Sequence, residues 1–313
     1  MLSRIADSLF WLNRYLERSE GMLRLMRTNY VLSLDKGPSD MNNWKPLLQI
    51  YSGLLLEEQI QIQQSNQKVI GYLLMDPANE NSFQMNLNKA RENARGMQDH
   101  ITKEVWEQVN YLYHTVNSKN TFEKLNSNNQ LPTIEYLLKN CLLYTGIADS
   151  TMPRGMSWCF MNLGKYLERC LLTIELLDKY FANINYDFED EKDILYWRSL
   201  LFSVSGYEFH LKNYRNSDTN INVAHQIIFN EQFPYSIFYC LTRIKKYVET
   251  IIDENKVKDK NLLVKEFGRI YSNVEFTDLD WIKKTGISVY LQTSRYNLLQ
   301  FTNTLSQTFF SYS

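Results

Sequence analysis

The chain has 313 residues, a formal charge of −1 and 44% hydrophobic residues, which allows a large buried core and excludes a global field that would draw it to nucleic acid or an anionic membrane. Eleven glycines and six prolines leave little room for long irregular structure. Four cysteines without a C-x-x-C spacing, Cys141, Cys159, Cys170 and Cys240, read as reduced core thiols rather than a disulfide or zinc framework.

In chain order the first element is a long helix over 3–34. Ile5, Leu9, Leu12, Leu16, Leu23, Met26 and Tyr30 recur at alternating spacings of four and three, with Ser19 in the missing place, so one stripe is expected to face a core. Charges interrupt this segment, which argues against a signal peptide, and no run reaches the roughly 18 apolar residues of a membrane span; a soluble cytoplasmic protein is expected. Further helices are predicted over 43–52, 54–75, 82–116, 133–150, 153–182, 192–211, 221–229, 234–252 and 261–311, the last broken near 273–279. Loops rich in Asn, Ser, Asp and Lys separate them, and strand alternation is absent. The predicted fold is all-α, a multi-helix bundle of about ten helices.

The chain also resembles itself. Arg14-Tyr15-Leu16-Glu17-Arg18 returns as Lys165-Tyr166-Leu167-Glu168-Arg169, with the apolar stripe at the same offset of 151. Trp44, Leu47, Leu48, Ser52 and Gly53 return as Trp197, Leu200, Leu201, Ser205 and Gly206, and Val69, Asp76 and Ser82 as Val223, Asn230 and Ser236. This predicts one domain over 1–313 made of two diverged repeats, 1–152 and 153–313, packed as one assembly.

Two polar constellations stand out. At about 100° per residue, Glu17 lies on the shoulder of the apolar stripe in line with Asn13 and Arg24, while Arg14 and Arg18 lie further round. Glu168 and Arg169 take the matching places, with Gly164 and Glu175 where the first copy has Asn13 and Arg24. These glutamates either project into a polar cleft, where a carboxylate could act as a base, or pair with arginines and fix helix register. The second constellation runs through Arg91, Glu92, Asn93 and Arg95 to Glu104, Trp106, Glu107 and Asn110. Arg91 and Arg95, one turn apart, could grip a carboxylate or phosphate, or form solvated pairs with Glu92 and Asp99. Histidines are scattered without an E-x-x-H spacing and no nucleotide-loop or Ser-hydrolase motif occurs, so no metal or other cofactor is expected.

The opening Met1-Leu2-Ser3-Arg4-Ile5-Ala6-Asp7-Ser8-Leu9-Phe10-Trp11-Leu12 with Arg14-Tyr15-Leu16-Glu17-Arg18 resembles the bacterial alpha-E family, named for its helices and Glu-Arg motif. Ala90-Arg91-Glu92-Asn93-Ala94-Arg95, Glu104-x-Trp106-Glu107-x-x-Asn110, Thr151-Met152-x-Arg154 with Trp158, and Phe233-Pro234-Tyr235-Ser236 resemble its further signatures; the last usually has Arg where Tyr235 stands. The resemblance implies no established activity. It implies partnership with ATP-grasp ligase-like or transglutaminase-like proteins, hence an accessory role in amide or peptide chemistry. The expectation is a non-catalytic binding or accessory protein, taking a peptide or small anionic ligand, with no nucleic-acid or membrane partner. Arg14, Glu17, Arg18, Arg91, Arg95, Arg154, Glu168 and Arg169 would line a polar groove between the repeats. Two rivals are an amide-bond enzyme using Glu17 or Glu92 as base, and a pure scaffold.

Overall fold

The computed structural model describes residues 3–36, 44–127, 129–215, 218–255 and 260–310, and these form sixteen α-helices with no strand. The chain divides into two compact units, one of Trp11–Arg154 and one of Met1–Phe10 with Gly155–Ser313. They are called here the first-half and second-half units.

The helices of the first-half unit are α1 (Ser3–Lys36, whose residues to Phe10 belong to the other unit), α2 (Lys45–Tyr51), α3 (Leu56–Ile62), α4 (Asn66–Met75), α5 (Phe83–Arg95), α6 (Lys103–Val116), α7 (Lys119–Leu125) and α8 (Gln130–Thr151). Those of the second-half unit are α9 (Met156–Ala182), α10 (Ile194–Ser203), α11 (Tyr207–Asn213), α12 (Thr219–Ile228), α13 (Ile237–Asn255), α14 (Lys260–Glu275), α15 (Leu279–Thr285) and α16 (Ile287–Phe309).

Sixteen helices replace the ten expected, because four expected segments are interrupted and one expected loop contains α7. The breaks have a local cause. Ser65 and Thr102 each accept a backbone N–H from three residues on, at 3.4 Å, and so start a new helix inside an expected segment; Ser82 and Ser118 cap α5 and α7 in the same way, at 3.3 and 3.2 Å. Asp193 and Asp278 do the same for α10 and α15, at 3.1 and 2.7 Å. Residues 256–259, within the expected loop over 253–260, lie outside the described residues.

Packing within each unit follows one scheme. In the first-half unit α2 packs on α3, α4 on α5 and α7, α5 on α6, and α8 on α6 and α7. In the second-half unit α10 packs on α11, α12 on α13 and α15, α13 on α14, and α16 on α14 and α15, with α9 against α10, α12, α13 and α16. The expected stripe of α1 is buried at Leu9, Leu12, Leu16, Leu23 and Met26, yet so are Phe10, Met22 and Leu25 and the polar Asn13, Glu17, Glu20 and Arg24. Burial over these residues extends well beyond the stripe, and the half-exposed Asp7, Trp11, Tyr15 and Arg18 form the outer face of α1. In α9 burial likewise takes in all of Cys159–Gly164.

One glycine is set by close approach. A Cβ at Gly206 would stand 2.7 Å from both Gln226 Nε2 and Phe233 Cζ, and Gln226 Nε2 donates to the Gly206 carbonyl at 2.9 Å. Gly206→Ala is therefore expected to destabilise by about 1–3 kcal/mol. Gly146, exposed within α8 with nothing within 4 Å of an added Cβ, should instead gain about 0.5–1 kcal/mol on substitution by alanine. Urea unfolding of the two variants checks the opposite signs.

Candidate functional site

The Tyr-Leu-Glu-Arg motif lies inside its helices' packing. Glu17 is 5% exposed, and Arg14, also buried, places its guanidinium 4.7 Å from the Trp11 ring centroid. Arg18 Nη1 reaches Asn81 Oδ1 at 3.4 Å. Just beyond the motif Glu20 and Arg24 form an ion pair whose side chains are both 5% exposed, and Tyr144 of α8 donates its hydroxyl to Asn13 Oδ1 at 2.6 Å. A row of buried polar side chains, Asn13, Glu17, Glu20, Arg24 and Thr28, thus runs along α1. Burial thus takes in the shoulder of the stripe, for which the sequence reading had left a polar cleft and a register-fixing pair both open. Cys141 lies near this row, and burial, with a smaller contribution from the Glu20 charge, pushes its thiol well above the usual range.

In the second-half unit Glu168 and Arg169 are also buried. Arg169 lies over the Tyr235 ring at 4.2 Å and over Tyr166 at 5.4 Å, and donates to the Pro234 carbonyl at 3.4 Å. The Phe-Pro-Tyr-Ser segment is therefore the seat of the motif arginine, and Tyr235 supplies an aromatic face there.

The second constellation is brought together in part. α5 and α6 pack so that Arg91 Nε donates to Asn110 Oδ1 at 2.9 Å, with the guanidinium 4.3 Å from the Tyr113 ring and 5.8 Å from Trp106. Trp106, Asn110 and Tyr113 share one face of α6 by their spacing of four and three. The spacing made Tyr113 findable, though the motif ended before it. Arg91 Nη1 meets Glu92 Oε1 at 3.2 Å; the Arg91 side chain is 20% exposed, that of Glu92 63%. Arg95 stands at the exposed margin, 3.9 Å from the other Glu92 oxygen, so the two arginines share one carboxylate. Asn93 is half-buried on α5.

Other candidates fall elsewhere. Glu104 and Glu107 are exposed on α6, Glu107 meeting Lys103 at 3.5 Å. Arg154 is exposed and pairs with Asp149 at 3.1 Å, closing the end of α8. Glu17 is buried, whereas Glu92 and Glu107 face solvent. Among the described residues no group of three or more His, Cys, Asp or Glu could hold a metal ion, and no helix is long and apolar enough to cross a membrane.

Curated relatives include uncharacterised proteins of Mycobacterium bovis and of two strains of Mycobacterium tuberculosis. Each is 21% identical over 266 residues, covering 77% of this chain. The chain spans only 29% of those relatives' length. No solved structure matches. A family model matches residues 1–310, and the chain belongs to that family, Alpha-E, described as a predicted alpha-helical domain with a conserved ER motif.

Proposed function

We propose that the chain is a non-catalytic binding or accessory protein whose recognition group is Arg91. The observation that carries this reading is a guanidinium fixed by Asn110 and Tyr113 and only 20% exposed, facing a carboxylate that is itself largely in solvent. A pre-positioned fork of this kind binds a carboxylate or phosphate bidentately, and a solvated Glu92 is easily displaced. The partner is an ATP-grasp ligase-like or transglutaminase-like protein, or a peptide handled by one. Relatives that devote most of their length to other sequence support an accessory role. Against the general-base alternative stand the burial of Glu17 and the exposure of Glu92 to solvent.

The Glu–Arg motifs take the scaffold role in this reading, because Glu17 and Glu168 are only 5% and 7% exposed. The two units are the products of a duplication. Eight helices each, the recurring packing pairs, and indole-to-Asn hydrogen bonds of 2.8 Å at both Trp44–Asn66 and Trp197–Asn220 support that origin.

The test is capture of partners from the native host with the tagged full chain, then titration of the partner identified. Arg91→Lys keeps the charge and loses the fork, and is expected to weaken binding at least about tenfold while costing under about 1 kcal/mol of stability. Arg95→Ala should cost binding far less. Equal affinity of Arg91→Lys and the unaltered chain removes the proposal.

A further inference from the structure

The face that α9 and α13 share in the second-half unit carries a second cation, independent of the Arg91 site. Tyr239, Arg243 and Tyr247 are spaced by four and form one row on α13. Tyr166, from the motif on α9, stacks on Tyr247 with ring centroids 6.1 Å apart and lies 6.2 Å from Tyr239. Arg243 Nη2 donates to the Tyr239 hydroxyl at 2.9 Å, with the guanidinium 4.9 Å from the same ring.

Arg243 is half-buried, and among the described residues no carboxylate lies within ion-pair distance of it. The titratable groups acting on it are phenols, those of Tyr239, Tyr166 and Tyr247. A guanidinium has five N–H donors, and one of them is satisfied by Tyr239. Tyr239 accepts that bond, so its own O–H remains to donate. Burial pushes the Tyr166 phenol well above its usual range despite the nearby Arg169 and Arg243 charges, so it too stays protonated and able to donate. Arg169 and Lys165 stand 5.4 and 5.8 Å from the Tyr166 ring.

The matching place in the first-half unit behaves differently. Lys89 lies 5.9 Å from the Tyr15 ring, but its ammonium donates to the Glu80 carbonyl at 3.0 Å, and Met85 and Asn93 stand where the second-half unit has Tyr239 and Tyr247. Of these two matching places, the one at Arg243 combines a guanidinium fork with phenols.

We propose that Arg243, with the hydroxyls of Tyr239 and Tyr166, binds an oxyanion: a carboxylate or a phosphate ester. The guanidinium supplies paired, parallel donors and the phenols a third and fourth, while the aromatic walls lower the local polarity and strengthen each bond.

The test titrates the full chain with inorganic phosphate and, separately, with succinate, by calorimetry. Saturable binding of either probe is expected, with the responding probe distinguishing a phosphate from a carboxylate source; response to both supports a general oxyanion site. Arg243→Gln should weaken binding at least about tenfold and Tyr239→Phe several-fold, while Lys89→Gln leaves it unchanged. If Arg243→Gln does not fold, Arg243→Lys and Tyr239→Phe carry the comparison. Absence of saturable binding to both probes overturns the proposal, as does binding that neither the Arg243 variants nor Tyr239→Phe weaken. The Arg91 reading stands or falls separately, on its own variant.

Discussion

Asn220→Ala is expected to lower the unfolding free energy by about 3 kcal/mol, and Asn66→Ala by about 1 kcal/mol, although both side chains accept the same kind of indole hydrogen bond. The Asn220 amide is fully buried. Its oxygen accepts from Trp197 Nε1 at 2.8 Å and from Lys192 N at 3.2 Å, and its nitrogen donates to the carbonyls of Phe188 and Asp190 at 3.2 and 3.0 Å. One side chain therefore closes the connection between α9 and α10 onto α12, and its removal leaves four polar groups without that partner. Asn66 is half-buried and accepts from Trp44 Nε1 alone, at 2.8 Å. Trp197→Ala should cost about 3–5 kcal/mol, since the ring is wholly buried against Phe181 and Tyr196 at 5.0 and 4.9 Å. Urea unfolding of the full chain reads all three. Equal shifts for Asn220→Ala and Asn66→Ala would show that the extra bonds of Asn220 contribute nothing.

The long helices were legible because periodicity survives over many turns, as at Leu9, Leu12, Leu16, Leu23 and Met26. Several short ones were not, though α2 and α12 were. Ser65 and Thr102 are good N-caps, but apolar spacing continues across both, and a hydroxyl mid-pattern reads as one more polar residue until its backbone bond is seen. The depth of Glu17 was left open for a different reason. Angular position around a helix gives direction, not depth, and burial on α1 extends past the stripe to the shoulder that carries Glu17. Matching letters also misled once: Gly53 was aligned with Gly206, yet the left-handed backbone falls on Gly53 (φ 66°) and on Ser205 (φ 53°). Gly206 has an ordinary φ of −106° and is glycine because Gln226 and Phe233 crowd it. At the site, Arg91, Trp106 and Asn110 could be named from their motifs. The Arg243 row could not, because no motif contains it and its partner Tyr166 lies 77 residues before Arg243.

The buried pair Glu20–Arg24 gives the sharpest separation between a scaffold and a site. Arg24→Ala is expected to destabilise by about 3–5 kcal/mol, because it removes the guanidinium from a carboxylate whose side chain is 5% exposed. Replacing both residues together, Glu20→Leu with Arg24→Met, removes both charges at similar volume and should restore most of that loss or exceed it, since neither group then has to be stripped of water. Thermal and urea unfolding of the single and double variants measure the difference. The same double variant then reports on function. If the α1 row only fixes how that helix packs, the refolded double variant binds the partner as the unaltered chain does, and recognition rests with Arg91. A double variant as stable as the parent that has nonetheless lost its partner would instead move the recognition chemistry into the row formed by Asn13, Glu17, Glu20 and Arg24. A double variant that remains as unstable as Arg24→Ala would contradict the desolvation argument itself, because the cost would then lie in packing that leucine and methionine cannot reproduce.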